Sequence, residues 1–421
     1  MRDVRFAVVI PAYNAQNYLP ELYTTLLEQT YKNFLVITID DCSQDETGAI
    51  ADEYVEIFHK AGIEMVAHHK TVNEGLSAAR NTGIDIAIYA GGCDYILFLD
   101  ADDTVSVDLL AVLAEKIRCA NSEDTPDMLI YSFSEDYYSP NGELTYSKEI
   151  RCDEAHLKRQ RSENEAYLKQ REQATESASN GLTVKNIPYM VKLAELEAGT
   201  MLGYAWNKAY KLTLLDRYNL RFEAVVHIED IVFNLAFLEH ADSFCVIDDI
   251  LYHYRNANQT RLTKKHLPNY MRLQKRRVYE FLRLQNHLAI SSAPHCMVDE
   301  STELQFYPFE ELMIPEKVYE VASGVYFRSL QSMIVREKSQ KKSKKDIIDM
   351  IESELVDELY TINGKNLYLL LRGHLPEGKA ANYLYKPLAR GKINKAYRNA
   401  CIIEFVQKHF SGLYAKLKQH R

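Results

Sequence analysis

Two carboxylates separated by one residue, Asp100 and Asp102, follow directly on the apolar run Tyr95 to Leu99, with Ala101 between them and Asp103 behind. Acids at the end of a buried strand can face a hard divalent cation, Mn2+ or Mg2+, that also takes phosphate oxygens as ligands. Such a cation acts as a Lewis acid on a departing diphosphate. Acidic pairs after strands also serve as caps and turn residues, so their meaning depends on what stands beside them.

Three more polar clusters precede this pair: Pro11, Ala12, Tyr13 and Asn14; Asp40 to Ser43 with Asp45 and Thr47; and Asn73, Glu74 and Gly75 with Ala79, Arg80 and Asn81. Asp41 is placed to accept the N–H of a pyrimidine base, whereas Asp45 reads as a helix cap. Gly75 permits close backbone approach to a nucleotide. Arg80, one turn into the next helix, can brace carboxylates or pair with phosphate.

Two groups follow further along. Trp206, the only Trp, stands before Asn207 and Lys208, and reads equally as core or as a platform for a sugar ring. Glu229 and Asp230 open a helical pattern, where the macrodipole favours the ionised carboxylate that a proton acceptor needs. His253, in the segment Tyr252 to Arg255, is read either as a third metal ligand or phosphate contact, or as a structural histidine.

These clusters need elements to hold them. Arg5 to Ile10, Phe34 to Ile39, Glu64 to Ala67 and Tyr95 to Leu99 read as strands, and the stripes Leu19/Leu22/Leu26, Ile50/Tyr54/Ile57, Leu76 to Ala87 and Leu109/Leu113/Ile117 as the helices between them. This alternation predicts an α/β fold with a mostly parallel central sheet, in which ligands sit at the carboxyl ends of the strands. Met128 to Phe133 and Cys245 to Ile250 are expected as later strands. Glu143 to Ala178, rich in Glu, Lys, Arg and Gln, is expected as an exposed helical or mobile insertion within 134–200. The division expected is a catalytic domain over 1–260 and a smaller, mainly helical domain over 261–421.

The chain has 421 residues, a net charge of −9 and seven cysteines without a C-x-x-C pair. That cysteine usage suits a reducing cytoplasm rather than a disulfide framework, and the charge argues against nucleic acid as a partner. There is no leader pattern and no apolar run of membrane-spanning length. From Tyr385 to Arg421, however, nine basic residues face one acid, Glu404. This tail and the run Arg336 to Lys345 are either a solvated face or a means of holding the chain at the inner face of the plasma membrane.

The four clusters, in this order and spacing, resemble the family 2 inverting glycosyltransferases of the GT-A fold. The resemblance extends through Trp206 to Lys208 and His227 to Phe233 as far as Arg255. It implies a nucleotide-sugar donor, most simply a UDP-sugar, and a glycan or lipid-linked glycan acceptor of the kind used in bacterial surface or capsular polysaccharide. By the same resemblance Asp102 is the chief metal ligand, Asp100 reaches the ribose or metal shell, Asp41 reads the base and Asp230 is the catalytic base with Glu229 beside it. Trp206, Asn207 and Lys208 fall on the acceptor side. Two positions depart from the pattern: Cys42 and His227 stand where the family commonly has Gly. A non-catalytic nucleotide-sugar scaffold and a nucleotidyltransferase on a related fold are the alternatives, and self-association through the helical half is left open.

Overall fold

The computed structural model of the protein describes residues 3–120, 125–139, 141–152, 187–256, 267, 269–291, 314–362, 364–378 and 381–409. They fall into two units, residues 1–179 with 199–264, and residues 180–198 with 265–421.

In the first unit, strands β1 (Phe6–Ala12), β2 (Phe34–Asp40), β3 (Glu64–His69) and β4 (Tyr95–Phe98) alternate with helices α1 (Leu19–Leu27), α2 (Thr47–Lys60), α3 (Leu76–Ala90) and α4 (Leu109–Cys119). β1 and β2 are buried along their whole length, as expected of parallel strands covered on both faces. The sheet continues through β5 (Thr104–Val105), β6 (Met128–Tyr138), β7 (Leu144–Ile150), β8 (Lys208–Lys211) and β9 (Phe244–Asn256), with the order β3-β2-β1-β4-β8-β6-β9-β5 and β7 beside β6. The pairs β1/β2, β1/β4, β2/β3 and β6/β9 are parallel, and β8, β5 and β7 run against their neighbours. Six of the nine strands therefore share one direction, and the fold is α/β with a mostly parallel sheet.

Gly83 decides how closely α3 lies on this sheet. A Cβ there would stand 2.3 Å from Val9 Cγ1 on β1, so only glycine lets the helix come so near. The register Ala12↔Asp40 brings the ends of β1 and β2 level, which lines up the polar loops that follow them.

Two expectations change. Within 143–178, the residues that are described do not form a helix: Leu144–Ile150 is an exposed strand in a hairpin with β6. Its polar, charged sequence suits an edge strand, where exposed charge blunts further pairing; residues 153–178 lie outside the described residues. The Ile187–Ala198 helix, expected inside the N-terminal domain, belongs to the second unit, whose main boundary follows residue 264.

The second unit is mainly helical, with long helices at Tyr270–Ser291 and Glu316–Ser339 and shorter ones at Lys344–Val356 and Ile393–His409. Part of the charged run from Arg336 to Lys345 is engaged here, since Lys338 pairs with Glu404 and Lys342 with Glu337. Ser343 caps the Lys344–Val356 helix in a reciprocal capping box with Asp346. Residues 410–421 of the basic tail lie outside the described residues. Among the described residues no helix is long and apolar enough to cross a membrane.

Candidate active site

The carboxyl ends of β1, β2 and β4 carry the expected clusters. Pro11 and Ala12 are buried as the last residues of β1, while Tyr13 and Asn14 stand exposed just beyond it. Asn14 ties two loops together: its N–H donates to Ser43 Oγ at 3.0 Å, and its Oδ1 accepts the N–H of Gln44 at 2.9 Å. Asp45 works beside it as a loop anchor, accepting from the N–H and hydroxyl of Thr47 and from the N–H of Gln16.

Asp41 is buried and already engaged. Its carboxylate accepts the N–H of Gly75 at 2.7 Å and of Glu74 at 3.1 Å, with Lys70 Nζ at 3.4 Å. It thereby shapes the loop that leads into α3. Gly75 has φ +88° and ψ 171°, a backbone region open essentially to glycine alone. Asn73 is exposed two residues before it.

The centre of the site is Arg80. Fully buried on α3, it donates from Nη1 to Asp230 Oδ1 at 2.5 Å and from Nη2 to Asp100 Oδ1 at 3.0 Å. Its guanidinium also lies 5.1 Å from the centroid of the Phe222 ring. Burial opposes the charge, but Asp230, Asp100 and Glu229 more than offset it and hold the group above its ordinary pKa. One residue of α3 thus joins the acid after β4 to the acid at the start of the Glu229–Leu238 helix.

The acids crowd one another. Burial pushes Asp100 up to about 6, with Arg80 acting against the shift and Asp102 and Asp230 adding to it. Burial, with Asp102 and Asp100, also raises Asp103 well above the usual carboxylate range. Asp102 itself is exposed. Glu229 is raised by burial and by Asp230, and among the described residues its buried Oε2 has no hydrogen-bond partner.

Among the described residues no three His, Cys, Asp or Glu side chains form a metal-binding group. A Mg2+-type ion, however, is commonly held by one or two carboxylates together with substrate phosphates. The mutual repulsion of Asp100 and Asp102 is what a divalent cation would relieve, so the donor set fits one. His253 does not join it: Nδ1 lies 2.9 Å from Ser134 Oγ and 3.7 Å from Asp136, and burial lowers the ring's pKa. The structural reading of that histidine is the one the geometry supports.

Trp206, Asn207 and Lys208 require a correction as well. All three are buried and so do not offer a face to an acceptor. Trp206 stacks between Tyr204 at 4.5 Å and Tyr252 at 4.4 Å. Lys208 spends its ammonium group on the carbonyls of Met201 and Tyr204 and on Asn207 Oδ1. A buried ammonium requires such partners. The result is a rigid loop that presents the Ala205 N–H to Asp230 Oδ2 at 2.9 Å.

Two groups exceed what the sequence suggested. Asp103 accepts the Tyr252 hydroxyl at 2.6 Å and the Arg255 N–H at 2.7 Å, locking the acidic turn to β9. Ser77, Asn81 and Asp85, spaced at i, i+4 and i+8 on α3, share one face. Ser77 Oγ donates to Glu223 O at 2.8 Å, Asn81 both donates to Phe222 O and accepts its N–H, and Asp85 pairs with Arg221 at 2.6 Å. Helical spacing was the only signal, because the partners lie more than a hundred residues away.

Residues 7–170 match the family described as Glycosyl transferase family 2. The chain is 28% identical over 262 residues to "Uncharacterized glycosyltransferase EpsJ" of Bacillus subtilis (strain 168), covering 61% of this chain and 62% of that protein. It is 37% identical over 132 residues to "Amylovoran biosynthesis glycosyltransferase AmsB" of Erwinia amylovora, covering 31% and 42%. It thus spans less than two thirds of either relative. The crystal structure of S. aureus TarS 1-349 in complex with UDP-GlcNAc is similar in fold, with a TM-score of 0.55 at 16% identity over 94% of this chain and 90% of that one.

Proposed function

We propose, from the premise that this chain belongs to the family 2 glycosyl transferases through residues 7–170, that it transfers a sugar from a nucleotide diphosphate to an acceptor hydroxyl with inversion. The observation that carries the reading is the Arg80 bridge, which brings Asp230 and Asp100 to one guanidinium at the carboxyl edge of a GT-A sheet.

In this reading Asp230 is the base. Arg80 and the Ala205 N–H fix its two oxygens from different sides, so the carboxylate is oriented before the acceptor hydroxyl arrives. Glu229 stands beside it toward the acceptor. Tyr13, Asn14, Asn73 and Gly75 border the donor, and Asp41 holds the Gly75 loop beside the donor's pyrimidine ring. Asp102 and Asp100 would hold Mg2+ or Mn2+, whose chemistry is charge stabilisation on the leaving diphosphate.

UDP as the donor nucleotide is supported by the UDP-GlcNAc complex of the TarS fold relative, and a role in surface polysaccharide by the amylovoran enzyme. The seven cysteines include no C-x-x-C pair, in keeping with a cytoplasmic site of action. The basic tail would bring the enzyme to the membrane and to a lipid-linked acceptor.

The test is donor turnover with UDP-sugars and Mn2+. Asp102→Asn and Asp230→Asn should each lower transfer by about a hundredfold or more, while Asp230→Asn leaves donor binding near wild type. Unchanged transfer in Asp102→Asn removes the metal-assisted reading. Binding without turnover by the wild type, across many acceptors, favours a nucleotide-sugar scaffold.

A further inference from the structure

The second unit contains a cavity of about 560 Å³ between residues 372 and 390, lined by Arg372, Pro376, Glu377, Asn382, Lys386 and Arg390 among others. Its size is that of a small-ligand site, and its charge is distinctive. From Arg372 to Arg398 seven Lys and Arg residues accompany one acid, Glu377, in a chain whose net charge is −9.

Several basic side chains elsewhere in this unit are committed: Lys275 pairs with Glu354 and Asp357, Lys338 with Glu404, and Arg277 with Glu197. Around the cavity they are not. Among the described residues Arg372 has only the Tyr368 ring, 5.9 Å away, and Lys386 only a 3.4 Å hydrogen bond to Asn382 Oδ1. Arg372 and Arg390 are exposed at its rim. Three cations, Arg372, Lys386 and Arg390, line the concavity against one carboxylate, Glu377, and this excess focuses a positive potential there. Arginine is the side chain best shaped to bind a phosphate through two parallel hydrogen bonds. Glu377 and Asn382 add groups suited to sugar or polyol hydroxyls.

We propose that this cavity binds the phosphate or diphosphate ester of a phosphorylated saccharide, as an acceptor-holding site distinct from the donor cleft. Its role as an acceptor site rests on the transferase reading; the binding itself does not. Either a lipid-linked diphosphate headgroup or a soluble phosphorylated glycan has the chemistry required.

The test titrates inorganic pyrophosphate into the full chain by calorimetry with EDTA present, so that metal-assisted binding in the donor cleft is silent. Arg372→Glu/Arg390→Glu should weaken binding by about tenfold or more and leave thermal melting and UDP-sugar hydrolysis unchanged; Asp102→Asn should bind as wild type. Phosphatidylglycerol vesicles form a second arm. Sedimentation with vesicles that pyrophosphate reverses supports a lipid headgroup, and pyrophosphate binding without sedimentation supports a soluble glycan. No pyrophosphate binding by the wild type, equal binding by the double variant, or loss of binding in Asp102→Asn overturns the site. Failure of transfer with intact pyrophosphate binding would count against the transferase reading alone.

Discussion

Arg80 and Asp230, 150 positions apart in sequence, are joined by a 2.5 Å ion pair in which the arginine is fully buried. The same guanidinium reaches Asp100, so one planar fork sets the spacing between the acid assigned to the acceptor and the acid assigned to the donor. A point charge cannot do this. Arg80→Lys keeps the charge but has no second rigid arm, and it should cost about 2–4 kcal/mol of stability. It should also lower kcat by about tenfold or more. Denaturant unfolding and steady-state kinetics measure the two effects; wild-type kcat in a folded Arg80→Lys protein would remove the bridge from the mechanism.

Asn81 fixes the segment leading into the Asp230 helix by closing two hydrogen bonds on the backbone of Phe222, at 2.8 and 2.7 Å. Asn81→Ala leaves both backbone groups without their partner, a loss of about 1–3 kcal/mol. Because the segment leads to the proposed base rather than to the donor loops, kcat should fall while KM for the donor holds. Asp85→Ala, which removes only an exposed pair with Arg221, should cost less than about 1 kcal/mol. A rise in donor KM with unchanged kcat in Asn81→Ala would mean that α3 positions the donor instead.

The parts of this site that could be read in the sequence are those where chemistry and element boundary coincide. Asp100, Asp102, Asp41 and Arg80 follow short apolar strands or open a helix, so period and residue type point to one edge of the sheet. Trp206 takes the core reading of the two the sequence allowed, whereas the burial of Asn207 and Lys208 has no sequence mark; the three acceptors around Lys208 Nζ become visible only in three dimensions. The Leu144–Ile150 strand escaped for a related reason. Its exposed edge lacks the apolar alternation that marks a half-buried strand. The Ser77, Asn81 and Asp85 face joins segments far apart in the chain, which helical spacing alone cannot pair.

Both departures from the family pattern prove to be conformational. Cys42 has φ +62° and His227 φ +81°, where glycine costs least. Among the described residues the Cys42 side chain has a 3.5 Å contact from Sγ to Thr71 O and a 4.0 Å contact with Gln44 to offset the strain. Cys42→Gly should therefore stabilise the fold by about 0.5–1 kcal/mol. Gly75→Ala, at φ +88° and ψ 171°, should destabilise by more than about 1 kcal/mol and loosen the Asp41 loop. Melting temperatures that move the other way in either variant would show that backbone strain does not govern these loops.

His69 ends β3 between two carboxylates, with Nε2 2.9 Å from Asp52 Oδ1 and Nδ1 3.2 Å from Asp40 Oδ2. The bond to Asp52 raises its pKa most, burial acts against the shift, and Asp40 raises it further. A pKa higher in the folded than in the unfolded chain means stabilisation that is complete below the unfolded value and lost as pH rises through the folded one. The ring is partly exposed, so solvent screening should keep the effect below about 1 kcal/mol. The stability difference between wild type and His69→Gln should be larger at about pH 5.5 than at about pH 8.5. Urea unfolding of both proteins at the two pH values measures it, and a difference that is constant or grows toward alkaline pH would show that the imidazolium does not bridge Asp52 and Asp40.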